Sequence, residues 1–435
     1  MKDKINVRSM AISAIDLISS QKAFSTEVIN NNIDKIVDLK DESMYRELVY
    51  GTIENLLYID YMINKVSKIK TNKMEKMILN ALRLSFYELV FLRIENYATV
   101  NEYVKLVKRK KGIRAGNFVN AILRNTIRKL DQITIIDLED KLDYLSVRYS
   151  FNRHLVQYLR DNYGIEKTEK ILESLYKRPK LSIRVNTDLI SREDLKKSLQ
   201  KKGFILDLSK LSKDSLIIDN PVRITELDEF KKGLFTIQDQ ASSRVAEFLN
   251  PREDSLILDL CAAPGSKSSH LAQISKDKSK VIANDIASNK LNKIKENFDR
   301  LGFNNYEITN YDASKRIDDF IDKFDYCLVD APCSGLGVVK RKPEIKLFRT
   351  MKEIKDLSKI QKEILNEAVK YVKKGGYLVY STCTLGDIEN NQVISEFLRD
   401  NDSMKILEID DKKHLEILPY EYDSDGFFMA KFTKK

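Results

Sequence analysis

Four cysteines occur in the chain, Cys261, Cys327, Cys333 and Cys383, and two of them stand where short apolar runs end. Tyr326-Cys-Leu-Val-Asp330 leads into Ala331-Pro-Cys-Ser-Gly-Leu-Gly337, and Leu378-Val-Tyr-Ser-Thr-Cys383 closes a second run. A pair of thiols at two strand ends suits nucleophilic chemistry. Carbon 5 of a pyrimidine is not nucleophilic by itself. A thiolate added to carbon 6 turns carbon 5 into an enamine carbon that accepts a methyl group, so one hard step becomes two easier ones. A free thiol ionises near pH 8.5, so an attacking cysteine needs local activation. A second thiol nearby can serve the removal of the carbon 5 proton or the release of the product. Residue spacing does not say which of Cys333 and Cys383 attacks. Cys327 falls mid-run and Cys261 falls in a turn, and both read as packing residues, since buried cysteine behaves as a small hydrophobe.

A methyl donor has its own candidate site. Leu256 to Lys267 reads L-I-L-D-L-C-A-A-P-G-S-K. The apolar run 256–260, broken only by Asp259, suits a buried parallel strand. Pro264 and Gly265 make a tight turn, and a helical pattern starts at Ser266. Strand, small-residue turn and helix N-terminus form a nucleotide-type pocket at the carboxyl edge of a parallel sheet. The turn has a single glycine and is neither G-x-G-x-x-G nor a P-loop, so it is poorly equipped to cradle a pyrophosphate. S-adenosylmethionine, an adenosine without phosphates, fits it better. Asp285 ends the next apolar run, twenty residues after Gly265 (285 − 265), where a ribose-binding carboxylate is expected. Asp330, between this turn and Cys333, is a candidate partner of the cytosine edge.

The elements that must position these groups follow from periodicity. From residue 233 the chain alternates strands and helices, which implies a doubly wound sheet. Strands are expected at 256–260, 280–286, 306–309, 325–330 and 376–381, and helices at 266–275, 287–300, 353–373 and 387–399. The run 426–432 reads as an edge or antiparallel closing strand. In a parallel sheet both Cys333 and Cys383 project at the same edge as the cofactor turn. Residues 1 to about 133 read as all-helical, with no proline before Pro179. Thr99-Val-Asn-Glu102 reads as a capping box opening the helix that follows. Residues 134–232 read as a small α/β module, with strands at 181–186 and 216–219, a helix at 192–202 and loops near 206–220. The acidic stretch 137–143 reads as a linker.

Composition narrows the function. The 435 residues imply about three domains, and 43% hydrophobic content is ample for a core. The first ten residues lack an apolar signal-peptide region, and no run approaches a membrane span. No C-x-x-C pair is present, and with three histidines neither a metal cluster nor a disulfide framework is expected. A reducing cytoplasm is the expected setting. Between residues 101 and 130, Lys105, Lys108, Arg109, Lys110, Lys111, Arg114, Arg124, Arg128 and Lys129 face Glu102 alone, so this stretch carries +8 of the net +10. Such a cluster is the electrostatic footprint of a nucleic acid, or the solvated face of a helix in a lysine-rich protein. Lys340, Arg341, Lys342, Lys346 and Arg349 form a second basic stretch, opposed only by Glu344.

The motifs C-A-A-P-G-S-K, D-A-P-C-S-G-L-G-V-V-K-R-K-P-E-I-K and Y-S-T-C-T-L resemble those of the RNA cytosine-5 methyltransferases. R-E-L-V-Y-G-T-I and K-K-G-I-R-A-G-N-F-V-N-A-I-L-R-N resemble the NusB-like domain of the bacterial Sun/Fmu (RsmB-type) enzymes, which methylate a cytosine of 16S ribosomal RNA. The resemblance covers essentially the whole chain and is weakest over 187–230. It implies three parts: a NusB-like helical RNA-binding bundle over 1–133, a small α+β RNA-binding module over 134–232, and a Rossmann-like S-adenosylmethionine-dependent methyltransferase domain over 233–435. It also implies 16S rRNA, free or in an assembling small subunit, as the partner. It makes Cys383 the nucleophile and assigns Cys333 to product release. Cys261, Ala262, Ala263, Pro264, Gly265, Ser266, Lys267, Asp285, Asp312 and Asp330 are the implied cofactor contacts. Lys105, Lys108, Arg109, Lys110, Lys111, Arg114, Lys340, Arg341 and Lys342 are the candidate RNA contacts. Ser266 stands where the family usually has a second glycine, and Phe348 where a tryptophan is common. Two other readings compete: the same chemistry on tRNA or another RNA, and a non-catalytic RNA-binding protein of the antitermination type. Two intact thiols beside Asp330 and Lys267 argue against the last.

Overall fold

The computed structural model describes residues 6–21, 23–92, 94–409 and 411–435. The first five residues, part of the stretch read for a leader, lie outside that set. The chain forms two compact units, Met1–Tyr176 with Val339–Arg349, and Lys177–Val338 with Thr350–Lys435.

The first unit is helical. Helices Val7–Gln21, Leu39–Glu54, Leu56–Val66, Lys76–Tyr87, Asn96–Lys111 and Ile113–Arg128 bury one apolar core, including Ile15, Leu48, Ile59, Leu82, Val107 and Leu123. The core also holds a carboxylate, Glu88, at 0% exposure. It is satisfied by a bidentate Arg8 at 2.8 and 2.9 Å and by the hydroxyls of Tyr103 at 2.7 Å and Thr99 at 3.1 Å. A buried charge needs such partners. These contacts correct the capping box expected at Thr99. The helix starts three residues earlier, at Asn96, so Thr99 lies inside its first turn and spends its hydroxyl on Glu88. Residues 134–176, expected in the middle module, pack with this unit as helices Lys141–Arg148, Arg153–Tyr163 and Ile165–Tyr176. Asp140, within the expected linker, caps the first of these by accepting from Asp143 N.

In the second unit, β1 (Leu181–Val185), β2 (Leu206–Leu208), β3 (Ser215–Ile218) and β4 (Phe235–Ile237) form an antiparallel sheet in the order β2-β3-β1-β4. β2 falls where a loop was expected, because three residues with one buried side chain carry little periodicity.

The larger sheet holds β5 (Leu256–Asp259), β6 (Lys280–Asn284), β7 (Tyr306–Thr309), β8 (Phe324–Asp330), β9 (Val372–Thr382), β10 (Met404–Ile406), β11 (Leu415–Ile417) and β12 (Phe427–Lys434). Its order is β10-β12-β9-β8-β5-β6-β7, with β11 also paired to β12. Strands β5 to β9 run parallel, and β12 is antiparallel to β9. So β12 is antiparallel as expected but interior, with β10 at the edge. Alternate residues feed two cores. Leu258, Cys327 and Tyr380 face the helix Met351–Tyr371, while Ile257, Leu328 and Val379 face helices Gln240–Leu249, Ser266–Ile274 and Leu291–Leu301. Helices on both faces explain why these strands are apolar throughout. The strand order reverses at β5, which places a crevice at the carboxyl ends of β5 and β8.

Candidate active site

The turn after β5 is held by its neighbours. Ala262 N donates to Asn284 O at 2.8 Å, and Ala263 N donates to the Asp285 carboxylate at 2.9 Å. Asn297 holds the Pro264 carbonyl at 2.8 Å. Gly265 ends the turn at φ +94°, a left-handed conformation that glycine adopts without strain. The helix from Ser266 then presents its unpaired N–H groups to the crevice. Arg184 of β1, fully buried, anchors this helix from behind through Ser266 O at 2.9 Å and Ser269 Oγ at 3.0 Å.

Asp285 and Asp312 follow β6 and β7, and Asp330 ends β8, so the three gather at one sheet edge. Asp312 accepts from Ser314 Oγ at 2.6 Å and Ser314 N at 3.0 Å, which holds its carboxyl below the ordinary range. Asp259, fully buried at the end of β5, accepts from Ser268 Oγ at 2.6 Å. Burial, reinforced by the nearby Asp330 charge, pushes its carboxyl up to about 7. This edge is rich in carboxylates. It disfavours a polyphosphate and suits ribose hydroxyls and a sulfonium cation, so the residues present fit S-adenosylmethionine.

Lys267 is the one cation carried by the turn. Its side chain is 11% exposed, it donates to Asp330 at 2.7 Å, and it lies 5.2 Å from the Phe427 ring centroid. Burial pulls its ammonium down, but Asp330, with Cys383 and Asp259 beyond, outweighs this and leaves it raised. The other Asp330 oxygen accepts from Ser381 at 2.8 Å. Asp330 is thus tied to Lys267 on one side and to β9 on the other.

The two thiols meet. Cys333 follows β8 and Cys383 follows β9, which are adjacent parallel strands, and their Sγ atoms are 3.3 Å apart. Both residues are partly exposed. The Cys333 thiol is pushed well up, first by its hydrogen bond to Cys383 and then by burial. The two sulfurs are within hydrogen-bond reach, and either can be the donor. Cys327 is fully buried in the sheet, as expected of a packing residue, and burial drives its thiol well up, as it does that of Cys261.

The basic residues divide. Lys105, Lys108, Arg109, Lys110, Lys111 and Arg114 are all exposed on the helices Asn96–Lys111 and Ile113–Arg128, and Lys111 pairs with Glu75. A groove between these helices is lined by Tyr97, which is 82% exposed, with Arg124 and Arg128. The second basic stretch does not form an open phosphate clamp. Residues 339–349 pack as part of the first unit. Lys340 is buried, Arg341 is half-buried, and only Lys342 is exposed, 5.2 Å from the Phe24 ring centroid. Lys346 is 2% exposed and donates to the carbonyls of Glu54 at 2.8 Å and Tyr149 at 2.9 Å, and burial lowers its ammonium to about 8. Glu344 is buried against Ser25, and Phe348 packs against the helical core. Charge alone gave no sign of this burial.

Among the described residues, one group could hold a metal by proximity. Asp214, Glu247 and His270 bring ligand atoms within 4.8 Å of one another. These groups are already engaged, Asp214 with His270 and Gln273, and Glu247 with Ser212 and Arg244. No helix among the described residues is long and apolar enough to cross a membrane.

Comparison with known proteins agrees with this geometry. Residues 246–433 match the family described as 16S rRNA methyltransferase RsmB/F, residues 5–128 match the NusB family, and residues 151–225 match the ferredoxin-like domain of RsmF/B-like methyltransferases. A probable ribosomal RNA small subunit methyltransferase B of Bacillus subtilis is 34% identical, over 99% of each chain. A methyltransferase homolog protein from Pyrococcus horikoshii, of known crystal structure, is 30% identical, with a TM-score of 0.61 over 68% of this chain and 100% of its own. The crystal structure of PH0851 shares the fold across 100% of both chains, at a TM-score of 0.82 and 24% identity. The helical N-terminus over residues 5–128 is NusB-like, and S-adenosylmethionine is the methyl donor. With matched domains along its length and a relative spanning its whole extent, the chain belongs to the RsmB/F family of 16S rRNA methyltransferases.

Proposed function

We propose that this protein methylates carbon 5 of a cytosine in 16S rRNA, with Cys383 as the attacking thiol. The observation that carries the reading is the 3.3 Å approach of two partly exposed thiols beside the Lys267–Asp330 pair. A methyltransferase acting on oxygen or an exocyclic amine has no use for a thiol pair. Cys383 adds to carbon 6, forming the S–C6 bond and moving the ring electrons to carbon 5. S-adenosylmethionine supplies the methyl group as an electrophile. A base then removes the carbon 5 proton, the C5–C6 double bond re-forms, and the S–C6 bond breaks to release Cys383 as thiolate. Cys333, 3.3 Å from Cys383, can donate its thiol proton to the departing sulfur. In this reading Asp330 accepts from the exocyclic amine of the base, while Lys267 fixes its orientation. The exposed cluster Lys105–Arg114 and the groove beside Tyr97 and Arg124 supply RNA affinity through phosphate contacts and stacking.

Denaturing gels of three variants with small-subunit rRNA test the roles. Cys333→Ala is expected to attack, methylate and stall as a covalent protein–RNA band. Cys383→Ala and the double variant are expected to give no band. A band from Cys383→Ala alone would reverse the two roles. No band from any variant, with Cys383→Ala still active, would overturn thiol catalysis.

A further inference from the structure

Behind the two thiols lies a carboxylate that neither the motifs nor the mechanism uses. Glu389, 1% exposed, follows the Cys383 loop. Its Oε1 accepts from Ser334 N at 2.8 Å and Gln361 Nε2 at 2.9 Å, and its Oε2 accepts from Ser334 Oγ. Gln361 also donates to Pro332 O at 2.9 Å, so both neighbours of Cys333 are held from one point.

The same node reaches Cys383. Ser334 Oγ lies 2.6 Å from Thr384 Oγ1, the residue after Cys383, and both side chains are fully buried. Since Ser334 donates its single hydroxyl proton to Glu389, Thr384 must donate to Ser334. Thr384 in turn accepts from Leu336 N at 3.3 Å. Every proton in this chain points toward Glu389, an order that only an acceptor at its end permits. Thr382, the residue before Cys383, donates to Asn390 at 2.6 Å, next to Glu389 in the chain. The Tyr380 hydroxyl holds the Glu389 carbonyl at 2.6 Å.

We propose that Glu389 is a positioning residue for methyl transfer, one buried carboxylate that sets the spacing of the two thiols by holding the peptide behind each. The proposal rests on the reading of Cys383 as nucleophile and Cys333 as its partner. Glu389 acts through Ser334 and Thr384. Its negative charge also helps to keep the proton on Cys333. An amide in its place cannot accept at both positions. In Glu389→Gln the –NH₂ group would face Ser334 Oγ and force the hydroxyl chain to reverse, leaving Thr384 with no acceptor for its proton.

The test measures the thiols directly, using the full-length protein. Diamide removes two electrons and two protons from a thiol pair and leaves a disulfide, so its rate of closing Cys333–Cys383 reports their spacing without RNA. Glu389→Gln is expected to slow this closure about tenfold and to reduce kcat about a hundredfold, since misplacement near 1 Å costs that much. KM for RNA and for S-adenosylmethionine is expected to stay within about threefold. Alkylation of Cys333 by iodoacetamide should shift to lower pH in Glu389→Gln, a change that a merely structural role does not produce. Should that variant fail to fold, Thr384→Val and Thr384→Ser carry the test. Valine breaks the chain and should reproduce both defects, and serine keeps the hydroxyl and should restore both functions. Diamide closure at the wild-type rate, or turnover within about threefold, in Glu389→Gln or Thr384→Val overturns the proposal. If Cys383→Ala stays active while closure in Glu389→Gln is slow, the nucleophile reading has failed and the spacing role of Glu389 has not.

Discussion

Gly337 offers a sharp perturbation of the thiol site, because its surroundings are main chain rather than side chains. A Cβ built on Gly337 would lie 2.1 Å from Gly426 O and 2.8 Å from Cys383 O. Real Cβ atoms stay beyond 3.0 Å from such neighbours, so Gly337→Ala demands a shift of at least 0.9 Å (3.0 − 2.1). No rotamer can supply it. Gly337 N donates to Cys383 O at 3.0 Å, and Gly426 N donates to Gly337 O at 2.9 Å, so the displacement is passed to the Cys383 peptide. A misplacement near 1 Å of a reacting group costs about a hundredfold, or about 2.7 kcal/mol of transition-state stabilisation. Initial rates of labelled-methyl transfer to small-subunit rRNA, with cofactor affinity and melting temperature measured in parallel, check this. Gly375→Ala is the control. Gly375 has φ +78° with no atom within 4 Å of the added carbon, so that variant should lose about 1–2 kcal/mol of stability and keep its turnover. Gly337→Ala turning over within threefold of wild type, at an unchanged melting temperature, would refute the reasoning.

Two further outcomes are expected. Changing Lys108, Arg109, Lys110 and Lys111 together to Ala should flatten the dependence of log K for RNA on log salt by about 0.7–0.9 for each phosphate no longer engaged, and an unchanged slope returns the cluster to a solvated helix face. His270, held down to about 4 by burial and Arg184, contributes stability that is present above its unfolded value of 6.5 and lost as pH falls toward 4. Asp259, held up to about 7, works in the opposite sense, its stability present at low pH and lost as pH rises through 7. Each amounts to about 2 kcal/mol between pH 7 and 5, so the two nearly cancel. Asp259→Asn should therefore expose a fall in unfolding free energy of about 2 kcal/mol from pH 7 to 5, and a flat profile in denaturant titrations would contradict the His270 assignment.

Much of the second unit was legible because its signals are local. The strands 256–259, 306–309 and 324–330 lie within a residue or two of where their apolar runs predict them. The meeting of Cys333 and Cys383 follows from two run-ends on one parallel edge. What escaped depends on distant partners. Thr99 looks like a cap until Glu88, eleven residues back, claims its hydroxyl. Lys346 looks like one more charge of a basic stretch until two carbonyls far away in the chain enclose it. Glu389 carries no motif of its own, and its partner Ser334 lies 55 residues away. β12 looks like a closing edge because nothing in Gly426 to Phe432 announces that β10 will pair outside it.

The eleven residues Val339–Arg349 complete the first unit although they are made long after the rest of it. When residue 176 has been synthesised, the carbonyls of Glu54 and Tyr149 still lack the ammonium of Lys346, and the helical core lacks Leu347. Another 173 residues (349 − 176) must be added first. At a synthesis rate of about 5–20 residues per second that is a wait of roughly 9–35 s. The N-terminal bundle is therefore finished by a late-arriving piece of chain, and an N-terminal fragment stopping at residue 176 would never receive it. Expressed alone, such a fragment should be less stable than the same helices in the full chain, and a peptide spanning 339–349 added in trans should restore part of the difference.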